Sequence, residues 1–421
     1  MTLAFRSLRH AAVAGFSLLC LFVAACATEA PRRAHDTGDT VVLISIDGFR
    51  ADYFDRGLTP RLAALAADGV RSPAMRPSFP SLTFPNHYTL VTGLRPDHHG
   101  IVHNVIEDPS LPGRFVYNKP ETVTDQRWWN GGEPLWVGAQ RQGVRSATMF
   151  WPGSDAVVHD TRPWQWRQFD KNVPPTDRVD TVLGWLALPA AERPRFVTLY
   201  FERVDKAGHD YGPDSPEVRA ALVEIDAAIG RLVDGLANAG LAASTNLVIV
   251  SDHGMVATSR ERLIYAEDVI DLARVRAVNL GVAAGFAPEA GQSRYVDATL
   301  LAPHDHWQCW RKGDVPERFH YGTNARVPPV VCLAEAGWII TTREQVEKRG
   351  HVPGGEHGYD NADPSMAALF IAHGPAFRRG AVVAPFDNVD VYPLLAHLLG
   401  IRPAPNDGDP ATMRAMLRET P

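Results

Sequence analysis

Residues 41–48 run Val-Val-Leu-Ile-Ser-Ile-Asp-Gly, an almost unbroken apolar, β-branched segment that stops on an acid and a glycine. A strand without a polar face must be covered on both sides, the situation found inside a parallel sheet. Three further segments share this character: Phe196–Phe201, Leu247–Ser251 and Met366–Ala372. Helical patterns with recognisable starts and stops lie between them. Thr59-Pro60 opens one that ends at Gly69. Pro216 opens a longer one, apolar at Val218, Ala221, Leu222, Ile225, Ile229, Leu232 and Leu236, that ends at Gly240, and Asp387–Leu399 ends at Gly400. The alternation predicts an α/β fold, a doubly wound, mostly parallel sheet with helices on both faces. Residues 104–195, rich in tryptophan and proline, and residues 258–350 break the alternation and are expected to be two insertions walling a site. The frame spans residues 40–405 as a single domain, leaving 406–421 as a C-terminal tail.

The 421 residues carry 48 acids against 42 bases, a net charge of −6, and 45% are hydrophobic. That composition is globular and supplies no broad positive field, so no nucleic-acid-binding surface is expected and any phosphate recognition must be local. At the N-terminus Arg6, Arg9 and His10 precede an apolar run, Ala11–Ala25, that ends in Val23-Ala24-Ala25-Cys26. The run is too short to span a membrane comfortably and reads as a signal peptide over residues 1–26, closed by a lipoprotein-type cleavage box. Acylated Cys26 and the polar tether 27–39 would then hold a periplasmic protein to a membrane by lipid alone. Ala27, where an aspartate would favour inner-membrane retention, points to the outer membrane. With Cys20 removed and Cys26 acylated, Cys309 and Cys332 remain. An oxidising compartment would let them pair, the alternative being two separately buried thiols.

Ligands in open α/β sheets bind beyond the carboxyl ends of the strands. The first run delivers Asp47. Phe196–Phe201 leads to Asp205, with His209 four residues on, and the third run delivers Asp252-His253-Gly254. The fourth reaches only His373, although Gly354-Gly355-Glu356-His357-Gly358 lies just upstream of it. Asp205 and His209 can face one ion from a single turn, and Gly208, Gly212 and Pro213 favour a short turn there. Three acids and three histidines without a thiolate suit two catalytic metal ions of the zinc, manganese or iron kind. His98, His99, His103, His304 and His306 have no strand end beside them and are read as structural or peripheral. An attacking hydroxyl is expected in Pro77–Gly93, where a helix is predicted over Asn86–Leu94. Thr83 would stand near its N-terminus, where backbone N–H groups favour an anion. Ser78, Ser81 and Thr83 are each equally readable as helix caps, and local sequence does not choose among them.

IDGFR at 46–50, FPSLTFPNHYTLVTGLRPDHHGI at 79–101, HN at 103–104, FWPGSDA at 150–156, VDKAGHDYGP at 204–213, SDHGM at 251–255 and GEHGYDN at 355–361 together resemble the nucleotide pyrophosphatase/phosphodiesterase family of the alkaline phosphatase superfamily. The resemblance implies two zinc ions, one held by Asp205, His209 and His357, the other by Asp47, Thr83, Asp252 and His253. It implies that Thr83 is the nucleophile, that Asn104 and a backbone N–H at or after Thr83 hold a phosphate oxygen, and that Phe84 and Tyr200 stack on a base. The implied activity is hydrolysis of nucleotide phosphodiester or pyrophosphate bonds to nucleoside 5′-monophosphates through a phospho-threonine intermediate. A neutral Asn104, where a cation would suit monoesters, favours diesters. Other branches act on choline-type phospholipid headgroups, and the superfamily includes phosphate and sulfate monoester hydrolases. Trp128, Trp129, Trp151, Trp164 and Trp166 would suit an adenine slot, a quaternary-ammonium cage or plain packing.

Overall fold

The computed structural model describes residues 39–418, so the signal segment, Cys26 and nearly all of the tether lie outside the described residues. Every side chain of the strand Thr40–Ile46 is buried. Successive side chains point to opposite faces, and the strand feeds two cores. Val41 and Leu43 join one; Val42, Ile44 and Ile46 join the other. The first core is covered by the helices Thr83–Thr92, Leu135–Arg141 and Val391–Leu399. The second is covered by Pro60–Ala67, Pro175–Leu186 and Pro216–Asn238. In that last helix Ser215 caps the first turn by accepting from Val218 N–H, Pro216 opens it, and the buried positions match the expected apolar stripe. Each fully buried Leu, Ile or Val there contributes about 1.5–3 kcal/mol.

The central sheet has nine strands. Its order is Ala381–Val382, Val70–Arg76, Ala368–His373, Thr245–Val250, Thr40–Ile46, Phe196–Phe201, Ser146–Met149, Gln165–Trp166, with Phe386–Asp387 also paired to Val70–Arg76. All pairings are parallel except the two made by Ala368–His373, which is antiparallel to both neighbours. The expected doubly wound, mostly parallel architecture is therefore present, with the fourth apolar run reversed.

Residues 104–195 depart from the expected insertion. Ser146–Met149 and Gln165–Trp166 extend the central sheet, and Pro175–Leu186 packs Val179, Val182 and Trp185 into the second core. Strands of four and two residues carry too little periodicity to be recognised. Outside the frame stands the hairpin Val105–Glu107 with Arg114–Val116. Residues 258–350 pair with none of the central strands and carry a four-stranded antiparallel sheet in the order Val275–Asn279, Ala283–Pro288, Val330–Ala334, Trp307–Arg311, whose apolar side chains share the core of Val41 and Leu43. Cys309 and Cys332 are direct partners across its last pair and form a disulfide. The C-terminal residues are docked: Asp390 accepts from Asp409 N–H and Thr412 Oγ1, both at 2.7 Å, and Met416 is buried. No helix among the described residues is long and apolar enough to cross a membrane.

Candidate functional site

Three neighbouring parallel strands bring their carboxyl ends to one edge. Asp47 follows Thr40–Ile46, Asp252 follows Thr245–Val250, and Asp205 sits in the first turn of the helix Arg203–Tyr211 after Phe196–Phe201. That segment is a nine-residue helix rather than the expected short turn. Gly208 is accommodated because any Cβ there would lie 2.8 Å from Met255 Cε. Gly48, at φ +67°, passes so close to Asp205 that a Cβ would stand 2.8 Å from its Cα, and its N–H donates to Asp252 Oδ1 at 3.2 Å. One glycine thus lets three acid-bearing loops converge. His357 enters from the segment preceding the reversed strand Ala368–His373.

The candidate ligand atoms face one another. His253 Nε2 lies 2.9 Å from Asp252 Oδ2 and 3.5 Å from Asp47 Oδ1. Asp205 Oδ1 lies 3.5 Å from His209 Nε2 and 3.6 Å from His357 Nε2. Asp205, His253 and His357 form one mutually close group and Asp47, Asp252 and His253 another, so His253 belongs to both and His209 closes the first from its edge. Each imidazole turns Nδ1 to a backbone carbonyl: His209 to Gly355 O at 2.9 Å, His253 to Gly254 O at 2.9 Å, His357 to Ser81 O at 2.8 Å. This fixes the rings with Nε2 toward the carboxylates, the way metal-ligating histidines are held. Asp47 Oδ1, Asp205 Oδ1 and Asp252 Oδ2 are buried without a hydrogen bond. Orphaned carboxylate oxygens are costly, and three converging on imidazole nitrogens fit divalent cations. Burial, then the carboxylates of Asp252 and Asp205, push Asp47 well above the usual range. Burial opposes ionisation of Asp252 as well, but His253 and His87 outweigh it and hold that carboxyl well down. Burial, then His253 and His209, push His357 down, keeping it a neutral ligand.

Of the three hydroxyls left open by sequence, only Thr83 meets this cluster, with Oγ1 3.2 Å from His253 Nε2. Ser78 donates to Asn388 and Ser81 to Tyr359 O, both buried. The helix begins at Thr83 itself, earlier than expected. Two residues missed by sequence reasoning hold it. Asn86 Nδ2 donates to Ser78 O, Pro80 O and Leu82 O at 3.2, 3.0 and 3.0 Å, while its Oδ1 accepts from Ser78 N–H and Asn388 Nδ2. His87 stands one helical turn after Thr83, with Nδ1 2.9 Å from Thr83 O and 3.3 Å from Asp252 Oδ2 and Nε2 2.8 Å from Ser45 Oγ. Their signal was the i, i+3 and i, i+4 spacing from Thr83 on one helix. Asn104 Oδ1 accepts from Phe84 N–H at 3.0 Å, which places its amide beside the first helical turn.

The base contact implied for Tyr200 is corrected. Its ring is 7% exposed, and its hydroxyl donates to Asp47 Oδ2 at 2.6 Å. Its strand places it in register with Ser45, two residues before Asp47, within reach of that candidate ligand. Exposed aromatic faces include those of Phe169, 5.8 Å from the Tyr200 ring, and Tyr117, 6.0 Å from Phe84, besides Tyr211 and Trp164. Trp128, Trp129 and Trp151 are buried packing residues. Arg145 covers Trp164 and Arg162 covers Trp166, so these five form no cage. His98, His99, His103, His304 and His306 are engaged away from the carboxylates, with Asp407, Thr89, Ala283, Thr299 and Glu335 respectively.

A sheet edge presenting paired carboxylate and imidazole clusters to one hydroxyl at a helix N-terminus defines an alkaline-phosphatase-like core. Residues 41–360 match the family described as type I phosphodiesterase / nucleotide pyrophosphatase, and the chain belongs to that family. It is 41% identical over 380 residues to an uncharacterized pyrophosphatase/phosphodiesterase of Schizosaccharomyces pombe, covering 88% of this chain and 78% of the relative. It is 37% identical to ectonucleotide pyrophosphatase/phosphodiesterase family member 3 of Bos taurus, covering 90% of this chain and 44% of that one. The chain thus spans less than half the length of this mammalian relative. Murine ectonucleotide pyrophosphatase/phosphodiesterase 5, solved as an inactive variant in complex with AMP, superposes with a TM-score of 0.86 at 34% identity over 90% of this chain and all of that one.

Proposed function

We propose that this chain is a two-metal phosphodiesterase that cleaves nucleotide phosphodiester or pyrophosphate bonds and releases nucleoside 5′-monophosphates. The observation that carries the reading is the Thr83 hydroxyl, 3.2 Å from His253 Nε2 beside three orphaned carboxylate oxygens. Asp205, His209 and His357 would hold one cation and Asp47, Asp252, His253 and Thr83 the other. When bound, these ions, zinc by family resemblance, supply Lewis acidity and neutralise charge at the reacting oxygens. Thr83 Oγ gives up its proton and attacks phosphorus as the bond to the leaving oxygen breaks; the leaving group departs with that oxygen, and Thr83 is left esterified to the nucleoside 5′-phosphate, a phospho-threonine diester. Water then displaces Thr83 Oγ from phosphorus and frees the monophosphate. Helix N–H groups and the neutral Asn104 amide face the non-bridging oxygens, which suits a singly charged diester. Phe84, Tyr117 and Phe169 offer ring faces to a base, and the murine relative's complex with AMP supports a nucleotide ligand. Five tryptophans that form no cage weigh against a choline headgroup. The test is hydrolysis of p-nitrophenyl-TMP by wild type and Thr83→Ala. Loss of turnover with retained metal content supports the reading; unchanged turnover overturns it. Export and lipidation at Cys26 belong to the same proposal, and Cys26→Ser should release the protein from the membrane fraction.

A further inference from the structure

We infer, resting on the phosphodiesterase reading above, that His103 is a positioning residue: it ties the segment carrying Asn104 to the small antiparallel sheet, so that this sheet sets the amide offered to the phosphate oxygens. Asn104 is gripped from two flanks. On one, its Oδ1 accepts at 3.0 Å from the N–H of Phe84, the residue after Thr83, and its Nδ2 donates to no protein atom among the described residues. On the other, Asn104 leads into the hairpin of Val105–Glu107 with Arg114–Val116, two strands of three residues each. A hairpin that short does not hold itself in water, and its ties run to the small sheet. His103 Nδ1 accepts from Val105 N–H at 3.1 Å, so Nε2 carries the proton and donates to Ala283 O at 3.1 Å. Burial pushes His103 down to about 4, which keeps Nδ1 an acceptor at neutral pH. Asn279 Nδ2 donates to Val105 O at 3.2 Å, Arg114 donates to Val278 O, and Arg276 pairs with Glu107. Both ring nitrogens of His103 are thus spent on backbone, and the residue acts only through its neighbour. An asparagine at 103 could still accept from the N–H two residues on, as Asx turns do, but is too short to reach Ala283 O. A glutamine is long enough.

The test is a double-mutant cycle in the full metal-loaded chain. It measures kcat/KM for p-nitrophenyl-TMP in wild type, His103→Asn, His103→Gln, Asn104→Ala and the combined His103→Asn, Asn104→Ala variant. Asn104→Ala is expected to cost about 10²-fold. His103→Asn is expected to cost about tenfold while Asn104 is present and less than about twofold once Asn104 is alanine. His103→Gln should stay within about threefold of wild type, because its donor still reaches Ala283 O. Equal losses from His103→Asn in both backgrounds, no loss beside Asn104, or a glutamine as poor as the asparagine would overturn the assignment. Should His103→Asn fail to fold, Asn279→Ala, which removes only the tie to Val105 O, takes its place in the cycle with the same two outcomes. A wild type inert toward p-nitrophenyl-TMP would instead sink the phosphodiesterase reading. AMP binding by calorimetry then decides the role of His103: weakening by His103→Asn only where Asn104 is present supports it, and equal weakening in both backgrounds overturns it.

Discussion

Thr40–Ile46 and Ala368–His373 are alike in character, both mostly apolar and almost wholly buried. Thr245–Val250 lies between them, parallel to the first and antiparallel to the second. Consequently the first strand and Thr245–Val250 deliver Asp47 and Asp252 to the same edge, whereas the reversed strand carries its terminal histidine to the other. His373 Nε2 ends 3.3 Å from Asp68, far from the carboxylate cluster. The end of that strand facing the site is its beginning. Ser365 O and Met366 O accept from Met255 N–H and Gly254 N–H there, and the segment upstream supplies His357. Strand direction, not composition, decides which flank of an apolar run carries chemistry.

The largest effect that could break this comparison is expected at Asp252. Asp252→Ala should lower kcat by at least about 10³-fold and reduce bound metal in elemental analysis; retention of activity within tenfold would contradict the site. A subtler discriminator is Tyr200. Tyr200→Phe should weaken metal affinity by about 10–100-fold, as loss of an outer hydrogen bond to a ligand does. A change confined to KM for the nucleotide would restore the base-stacking role instead.

Histidines remote from the carboxylates provide a stability contrast. Burial pushes His99 down to about 3 and His103 down to about 4, so both fold as neutral rings. Their depressed values mean that the unfolded chain binds more protons below pH 6.5. Their stability contribution is therefore complete above that pH and lost as pH falls toward 4 and then 3, at up to about 1.4 kcal/mol per pH unit per ring. Denaturant unfolding at pH 7 and pH 5 should show the wild type losing more stability than His99→Gln over that interval. The smallest effect belongs to His373→Ala, which should leave activity within about twofold and stability within about 0.5 kcal/mol. A large loss there would show that the reversed strand serves the site at both ends.

Much of this was legible in the chain because a wholly apolar run that halts on an acid fits few arrangements besides a covered strand opening onto a site. The two-faced sheet, the three acids, the three histidines and the disulfide pair of Cys309 and Cys332 all stood out. What was hidden depends on partners distant in sequence. No pattern within 366–372 records which way that strand runs. Ser146–Met149 and Gln165–Trp166 are too short to display a period, so their place in the sheet passed as insertion. The stacking role of Tyr200 came from the family resemblance, whereas its own strand, Phe196–Phe201, already reads as covered on both faces. Local sequence did not separate Thr83 from Ser78 and Ser81; the family resemblance chose it, and the hydroxyls of the two serines are engaged by Asn388 and Tyr359.

Asn86 has a wider consequence. Its single amide grips the loop behind Thr83 through four hydrogen bonds and is itself held by a fifth from Asn388. The segment that carries Thr83, the proposed nucleophile, is thus held from within the body of the protein, Asn86 and Asn388 both being buried. Side chains around the opening can be exchanged over generations, and the menu of molecules admitted can drift, while the shot stays true.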